Sequence, residues 1–448
     1  MNASRQLASF VSVLSLALLS GIAQARVSPE EAARLDQSLT PLGGERMGNG
    51  QEIPDWTGGL PQEPMERGDN PFAADQPLFV ITGKNYQQHA ERLTAGKIAL
   101  FKAYPDSYKM PVYPTRRSAS FPTYIYEATR KNAEQVELTN EGFGFCCTAQ
   151  GFPFPIPGNG TEAIWNHVMR YNTKGYRGYL NHAVTTPDGD YVVERSFLEL
   201  SYHYNHPEAT LDSLNNQNLW LFTKVVAPPN KAGDAHLIHV PIDRIAEETG
   251  VWVFNPGLGR TRRIGKVGYD NPAFDGLMTH DQIDMFNGPL DRYTVKLLGK
   301  REMYVPYNAY SLYSDKVEYD DIIDAGHINQ ELTRYELHRV WVIEANVRDG
   351  FKHIYKKRTF YLDEDSWLVL LQDMYDELGN FWRTAEAHAI TFQNVPLIVN
   401  GVQVHYDIQS RRYVILNMTN EEREAITYDW YKPRKYFNPR ELKKFALP

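Results

Sequence analysis

Thirteen histidines in 448 residues make metal chelation the first chemistry to test. His203 and His206 lie three apart, as do His236 and His239. Within a strand that spacing sends the two rings to opposite faces, so hydrogen-bonded or solvated histidines are expected rather than chelates. His338 and Glu344 share a strand face, but they stand too far apart to chelate without further partners. Asp363, Glu364 and Asp365 could ligate calcium or act as acids; between two strong strands they read as a charged hairpin turn. Arg116-Arg117 and the Arg260, Arg262, Arg263 set could receive an anionic head group. Strand-surface arginines paired with the acidic excess explain them at least as well. There is no Walker lysine loop, zinc-protease helix or G-x-S-x-G elbow. Gly257-Leu258-Gly259 is followed by neither a helix nor a βαβ unit, so no dinucleotide site is expected. No catalytic residue, metal or cofactor is assigned, and the residues favour binding over catalysis.

Two further features bear on binding. Cys146 and Cys147 are the only cysteines and are adjacent, which rules out a disulfide framework. A vicinal bridge would be strained, because adjacent Cα atoms are closer than an ordinary disulfide prefers. Two small reduced residues in a strand are the favoured reading over a redox switch. In the strand after Asn380, one face reads Phe381, Arg383, Ala385, Ala387 and Ala389. Consecutive inward alanines leave room for a closely packed helix or for a ligand. Trp341, Phe360 and Trp367 on neighbouring strands would complete an apolar, aromatic wall suited to lipid-like cargo.

The elements that position these residues are mostly short strands. RYELHRVWVIEA, HIYKKRTFYL, WLVLLQDMYD and FWRTAEAHAITF alternate between faces, with turns at Asp349-Gly350, Asp363 to Ser366 and Asp376 to Asn380. Upstream, VYPTRRSA, PTYIYEATR and GFGFCCTA also read as strands. Helices are expected after Asn85 (ending at Gly96), at Ile98 to Tyr104, and after an N-cap at Thr161. The class is therefore mainly β (α+β), one large antiparallel sheet with a few helices. Residues 26–76 form an extended Gly/Pro-rich lead-in, and 77–448 a single β-rich domain.

The chain opens with MNASRQLASFVSVLSLALLSGIAQA. Arg5, the apolar Leu7 to Ile22 run and Ala23-Gln24-Ala25 make a cleaved signal peptide, residues 1–25. The run is too short and too rich in serine for a membrane span, and no cysteine follows the cleavage site, so a lipoprotein anchor is not expected. The formal charge is −8; without a basic excess, nucleic-acid binding is not expected.

The segments NGQEIPDWTGGL, YPTRRSA, GFPFPIPGNGTEAIWNH, YDNPAFDG, LLGKREMYVPYN and KKRTFYLDEDSWLVLLQDMYD resemble the bacterial domain of unknown function 1329. The resemblance covers nearly all of the mature chain. It implies a fold like the LolA/LolB lipoprotein carriers, a curved sheet or half-barrel around a few helices. It also implies a periplasmic carrier of hydrophobic or lipid-like molecules, with a resistance-nodulation-division-type transporter and an outer-membrane β-barrel as partners. A structural adaptor without cargo is the alternative. The family supplies no catalytic residue.

Overall fold

The computed structural model describes residues 27–265 and 268–447; the expected signal peptide and its cleavage position lie outside the described residues. The period-two patterns become two antiparallel meanders. Tyr335–Val347, Lys357–Asp363, Val369–Tyr375, Phe381–Phe392, Leu397–Asp407 and Arg412–Met418 pair in chain order. So do Gly175–Thr185, Tyr191–Tyr202, Gln217–Ala227, Ala235–Pro241, Gly250–Asn255 and Arg260–Ile264. Arg412–Met418 pairs with Gly175–Thr185 through Val414–Val184 and Ile415–Ala183, fusing both sets into one 16-stranded sheet. Tyr293–Pro306 adds against Tyr335–Val347, and parallel pairing within the sheet is confined to Tyr335–Val112. The strand order runs from Phe79–Thr82 to Arg260–Ile264 without closing on itself.

The middle of the sheet is buried on both faces. Ala385, Ala387 and Ala389 belong to one apolar core with Phe286, Phe360 and Trp367. Ile390, Val402 and Val404 face a second, with Leu100, Phe101 and several tyrosines. Gly96 shows how closely the second layer approaches: a Cβ there would lie 2.0 Å from Thr384 Oγ1. Glycine is thus the start of a packed helix, Ala95–Ala103, capped by Thr94, and not the end of an earlier one.

Other expectations shift in the same way. PTYIYEATR is the start of a helix, Thr123–Gln135. Ile125, Thr129, Asn132 and Ala133 are its buried residues, at helical spacing; β-branched and aromatic content outweighed that period in the sequence. The helix after FPFPIPGNG is Gly160–Val168, capped by Asn159 rather than Thr161. Asn85 makes no side-chain cap; its Oδ1 accepts from Thr82 N–H at 2.7 Å, and the helix that follows is a 3₁₀ one, Tyr86–Arg92. The VYPTRRSA strand ends at Val112, since the prolines and buried arginine beyond it make no ladder. GFGFCCTA keeps only Gly144–Phe145 as strand. Directly beyond it, half-buried Cys146 and Cys147 form a vicinal disulfide in place of the expected reduced pair. Extended backbone would point adjacent side chains apart; here Cys147 takes a φ of 77° and the sulfurs meet.

Candidate functional site

The alanine row is the centre of the site that the sequence reading suggested. Register places Ala385 opposite Gln372 and His405, Ala387 opposite Gln403, and Ala389 opposite Asn400. Phe360 lies in the same cross-strand row, opposite Gln372 and Ile343. The alanines are each at most 1% exposed. Over the sheet face they share runs the segment Gly276 to Leu290, with one helical turn, the 3₁₀ stretch His280–Gln282, and Ala163 and Ile164 of the Gly160–Val168 helix join the same core. Leu277, Met278, Met285, Phe286 and Leu290 of that segment are buried. Phe286 meets Phe360 edge-on at 5.1 Å.

The cover is held by polar contacts to the same sheet face. Arg358 Nη2 donates to both Asp281 oxygens at 2.8 and 2.9 Å. Tyr355 OH donates to Gln282 Oε1 at 2.8 Å, and Met285 N–H to Gln403 Oε1 at 3.2 Å. Arg383 Nη2 donates to Gly276 O at 2.8 Å, and Asn400 Nδ2 to Asp284 Oδ1 at 3.1 Å. From the other side, His167 Nδ1 accepts from Val369 N–H at 3.2 Å, which leaves Nε2–H to donate to Asp284 O at 3.1 Å. Burial holds His167 neutral, its pKa lowered to about 3. Asp284 and Met285 adopt φ of 60° and 66°, backbone that non-glycine residues rarely take without surrounding constraint. Two hollows among the described residues enclose about 20 Å³ each, about one water, and no alanine of the row lines either.

Trp341 and Trp367 stack on each other at 5.9 Å, and Trp367 Nε1 donates to Leu42 O. They flank a second buried group. Asp363, Glu364 and Asp365 are a charged turn as expected, yet all three are 4% exposed or less. Arg117 binds Asp365 through two nitrogens at 2.6 and 2.7 Å and reaches Glu45 O and Arg46 O. It is therefore saturated, and an anionic head group has no access to it. Lys300 pairs with Glu364 at 2.7 Å, and Arg116 with Asp75. His338 does not meet Glu344; its Nε2 lies 3.0 Å from Glu336 and its Nδ1 3.6 Å from Asp363. His338, Asp363 and Asp365 bring potential ligand atoms within 4.8 Å, but the cations Arg117 and His338 already neutralise them.

Burial opposes the imidazolium at His338, but the Asp363 carboxylate beside it and the hydrogen bond it donates to Glu336 outweigh that and push its pKa up to about 9. This contribution to stability is fully present below the ordinary histidine value of 6.5 and is lost as pH rises through about 9. The difference is worth ~3 kcal/mol for a fully buried group. Chemical denaturation at pH 6 and at pH near 10 should differ by that order, and His338→Gln should flatten the dependence. A wild-type protein equally stable at both would remove the assignment.

The remaining histidine pairs stay apart. His203 binds Ser213 O and His206 packs on Tyr431, beyond the end of the Tyr191–Tyr202 strand. His236 and His239 lie on opposite faces of Ala235–Pro241, as their spacing requires. Arg260, Arg262 and Arg263 are exposed on the last strand of the sheet. Sequence reasoning missed Asp281, Gln282 and Arg358, which hold the cover, and Lys97 with Glu386 on the opposite face. A glutamate between alanines in AEAHA and a lysine inside AGKIALF were the available signals.

A family model described as a protein of unknown function (DUF1329) matches residues 80–443. An uncharacterized protein of Pseudomonas aeruginosa is 42% identical over 440 residues, 96% of this chain and 97% of that protein. Among solved structures, a DUF1329 family protein from Desulfovibrio piger is similar over 60% of this chain and 92% of its own, with 11% identity and a TM-score of 0.41. A LolA superfamily protein from Nitrosomonas europaea is similar over 63% and 98%, with 13% identity and a TM-score of 0.38. With the family match running through both meanders and a relative aligned along nearly its whole length, this chain belongs to the DUF1329 family.

Proposed function

We infer that the protein is a carrier of lipid-like or other hydrophobic molecules in the cell envelope, with the alanine row as the floor on which cargo lies. The observation that carries this reading is the row itself: three alanines, at most 1% exposed, under a non-helical segment anchored by side-chain polar contacts. Swinging Gly276 to Leu290 away would expose an apolar strip while its polar anchors regain water. An acyl chain could then replace Met285 and Phe286 over the alanines, with ~0.8 kcal/mol for each methylene removed from water. No covalent step is involved. The expected signal sequence supports action in the periplasm, and a transporter of the resistance-nodulation-division type and an outer-membrane β-barrel are the proposed partners. Among the described residues no helix is long and apolar enough to cross a membrane.

Native mass spectrometry of delipidated protein, after incubation with phospholipids extracted from bacterial envelopes, should show a bound lipid mass. Ala387→Trp should remove that adduct by filling the floor. The tight packing over the row also supports a second reading, a structural adaptor without cargo. Wild-type protein that takes up no lipid, yet captures transporter and barrel partners in stoichiometric amounts, would replace the carrier by the adaptor.

A further inference from the structure

A local surplus of positive charge stands at one end of the sheet. Between Pro256 and Ile264 stand Arg260, Arg262 and Arg263 with no acidic residue. From Trp430 to the C-terminus, Lys432, Arg434, Lys435, Arg440, Lys443 and Lys444 face only Glu441. These two stretches carry a surplus of eight positive charges in a chain of formal charge −8, so the remainder carries −16. All nine cations are exposed. Among the described residues, the one ion pair any of them makes is Lys444 with Glu441, at 2.8 Å.

The fold brings the two stretches together. Asn438 caps the helix Pro439–Ala446 by accepting from Arg440 and Glu441 N–H. Leu442 and Ala446 bury against Trp220, Phe222, Leu237 and Phe254 of the terminal strands. This leaves Arg440, Lys443 and Lys444 facing water. Register sets Thr261 opposite Phe254, so Arg263 lies on the helix side of the sheet, over the Trp252 ring at 5.4 Å. Arginines along an outermost strand also guard it against pairing with other sheets, but that does not account for six cations on the helix and its lead-in. Apolar groups are interleaved with them: Leu258, at the tip of the hairpin, is 70% exposed and Leu447 is 45% exposed, while Trp430, Tyr431 and Tyr436 are half-buried.

We propose that the surface formed by the Pro439–Ala446 helix, its lead-in and the Gly250–Ile264 hairpin docks the protein on an anionic phospholipid surface. Cations with half-buried aromatic rings and an exposed leucine tip match the interface of a bilayer, where head groups take the charge and the acyl boundary takes the apolar groups. An acidic protein partner would use the cations and leave Leu258 unexplained. Docking at the surface is independent of whether the alanine row takes cargo, and the measurement below does not involve uptake.

Full-length mature protein should float with vesicles of phosphatidylcholine mixed with phosphatidylglycerol and not with vesicles of phosphatidylcholine alone, and high salt should release it. Neutralising each cation should weaken binding about fivefold, so Arg440→Gln, Lys443→Gln, Lys444→Gln together should weaken it about 100-fold. Leu258→Ser should weaken it further with no change of charge. Arg263→Gln, on the helix side of the hairpin, tests the same surface from the strand side, should the helix variant fail to fold. Equal flotation with neutral vesicles, undiminished binding by folded variants, or retention by an acidic protein without any vesicle association would overturn the proposal.

Discussion

Lys97→Met should cost about 3–5 kcal/mol of folding stability, because it strips a buried carboxylate of its cation. Lys97 and Glu386 are paired with both side chains 2% exposed. Lys97 Nζ also donates to Tyr108 OH at 3.0 Å and Tyr335 OH at 3.2 Å, and sits 4.5 Å from the centre of the Tyr335 ring. Glu386 accepts from Tyr406 OH at 2.9 Å. Burial favours a neutral Glu386, but Lys97 and then His388 hold its pKa far below the ordinary glutamate value. In the wild type this stability is present above pH ~4.5 and lost as pH falls. With methionine at 97 the sign reverses: Glu386 stays buried without its lysine, its pKa rises, and the variant should be least stable at neutral pH. Adding Glu386→Gln should restore much of the loss, since replacing both charges removes the unpaired one. Urea denaturation of the two variants measures this; a single variant within about 1 kcal/mol of wild type would mean that the pair is not ionised.

Arg358→Met should act with similar strength but on a different part of the molecule. Arg358 is fully buried and holds Asp281 at 2.8 and 2.9 Å, and its Nη2 also lies 2.8 Å from His353 Nε2. Burial alone would raise the Asp281 pKa; Arg358, helped by His353, instead holds it well below the usual carboxylate range. Removing the guanidinium leaves Asp281 charged in the interior, about 3–5 kcal/mol unfavourable, and the segment that carries Asp281 can relieve this by leaving the sheet. Hydrogen exchange should therefore accelerate at Gln282 to Phe286 before it does in the Phe381–Phe392 strand. Binding of the dye 1-anilinonaphthalene-8-sulfonate should increase as the alanine row is uncovered. Exchange that rises uniformly through the sheet would show that Gly276 to Leu290 is an inseparable part of the core, and would weaken the carrier reading with it.

What could be read from residues alone was governed by local physics. Alternation of side chains in extended backbone marks Phe381–Phe392 and its neighbours, and Asp-Gly and Gly-Asn pairs mark their turns. The same rule places His236 and His239 on opposite faces. The family could be recognised because long stretches of chain carry it. Short-range ambiguity explains several misses. Thr123–Gln135 has a strand-like composition, and its helical character comes from which of its residues find a core to bury in.

The site depended on contacts that no local pattern encodes. Arg117 meets Asp365 across 248 positions and Lys97 meets Glu386 across 289, so one arginine read as a surface group and a lysine in a short helix turn out to be interior charges. The alanine row was visible as missing volume, but its cover begins about a hundred residues upstream and has no periodicity of its own. The cationic surface is likewise assembled from a hairpin and a C-terminal helix. The sequence by itself determined a β-meander protein with space above one strand, because strand period and turn chemistry act between neighbours. Only the tertiary structure decided that the space is covered and which charges are interior, because burial and pairing depend on parts of the chain that meet only when it folds.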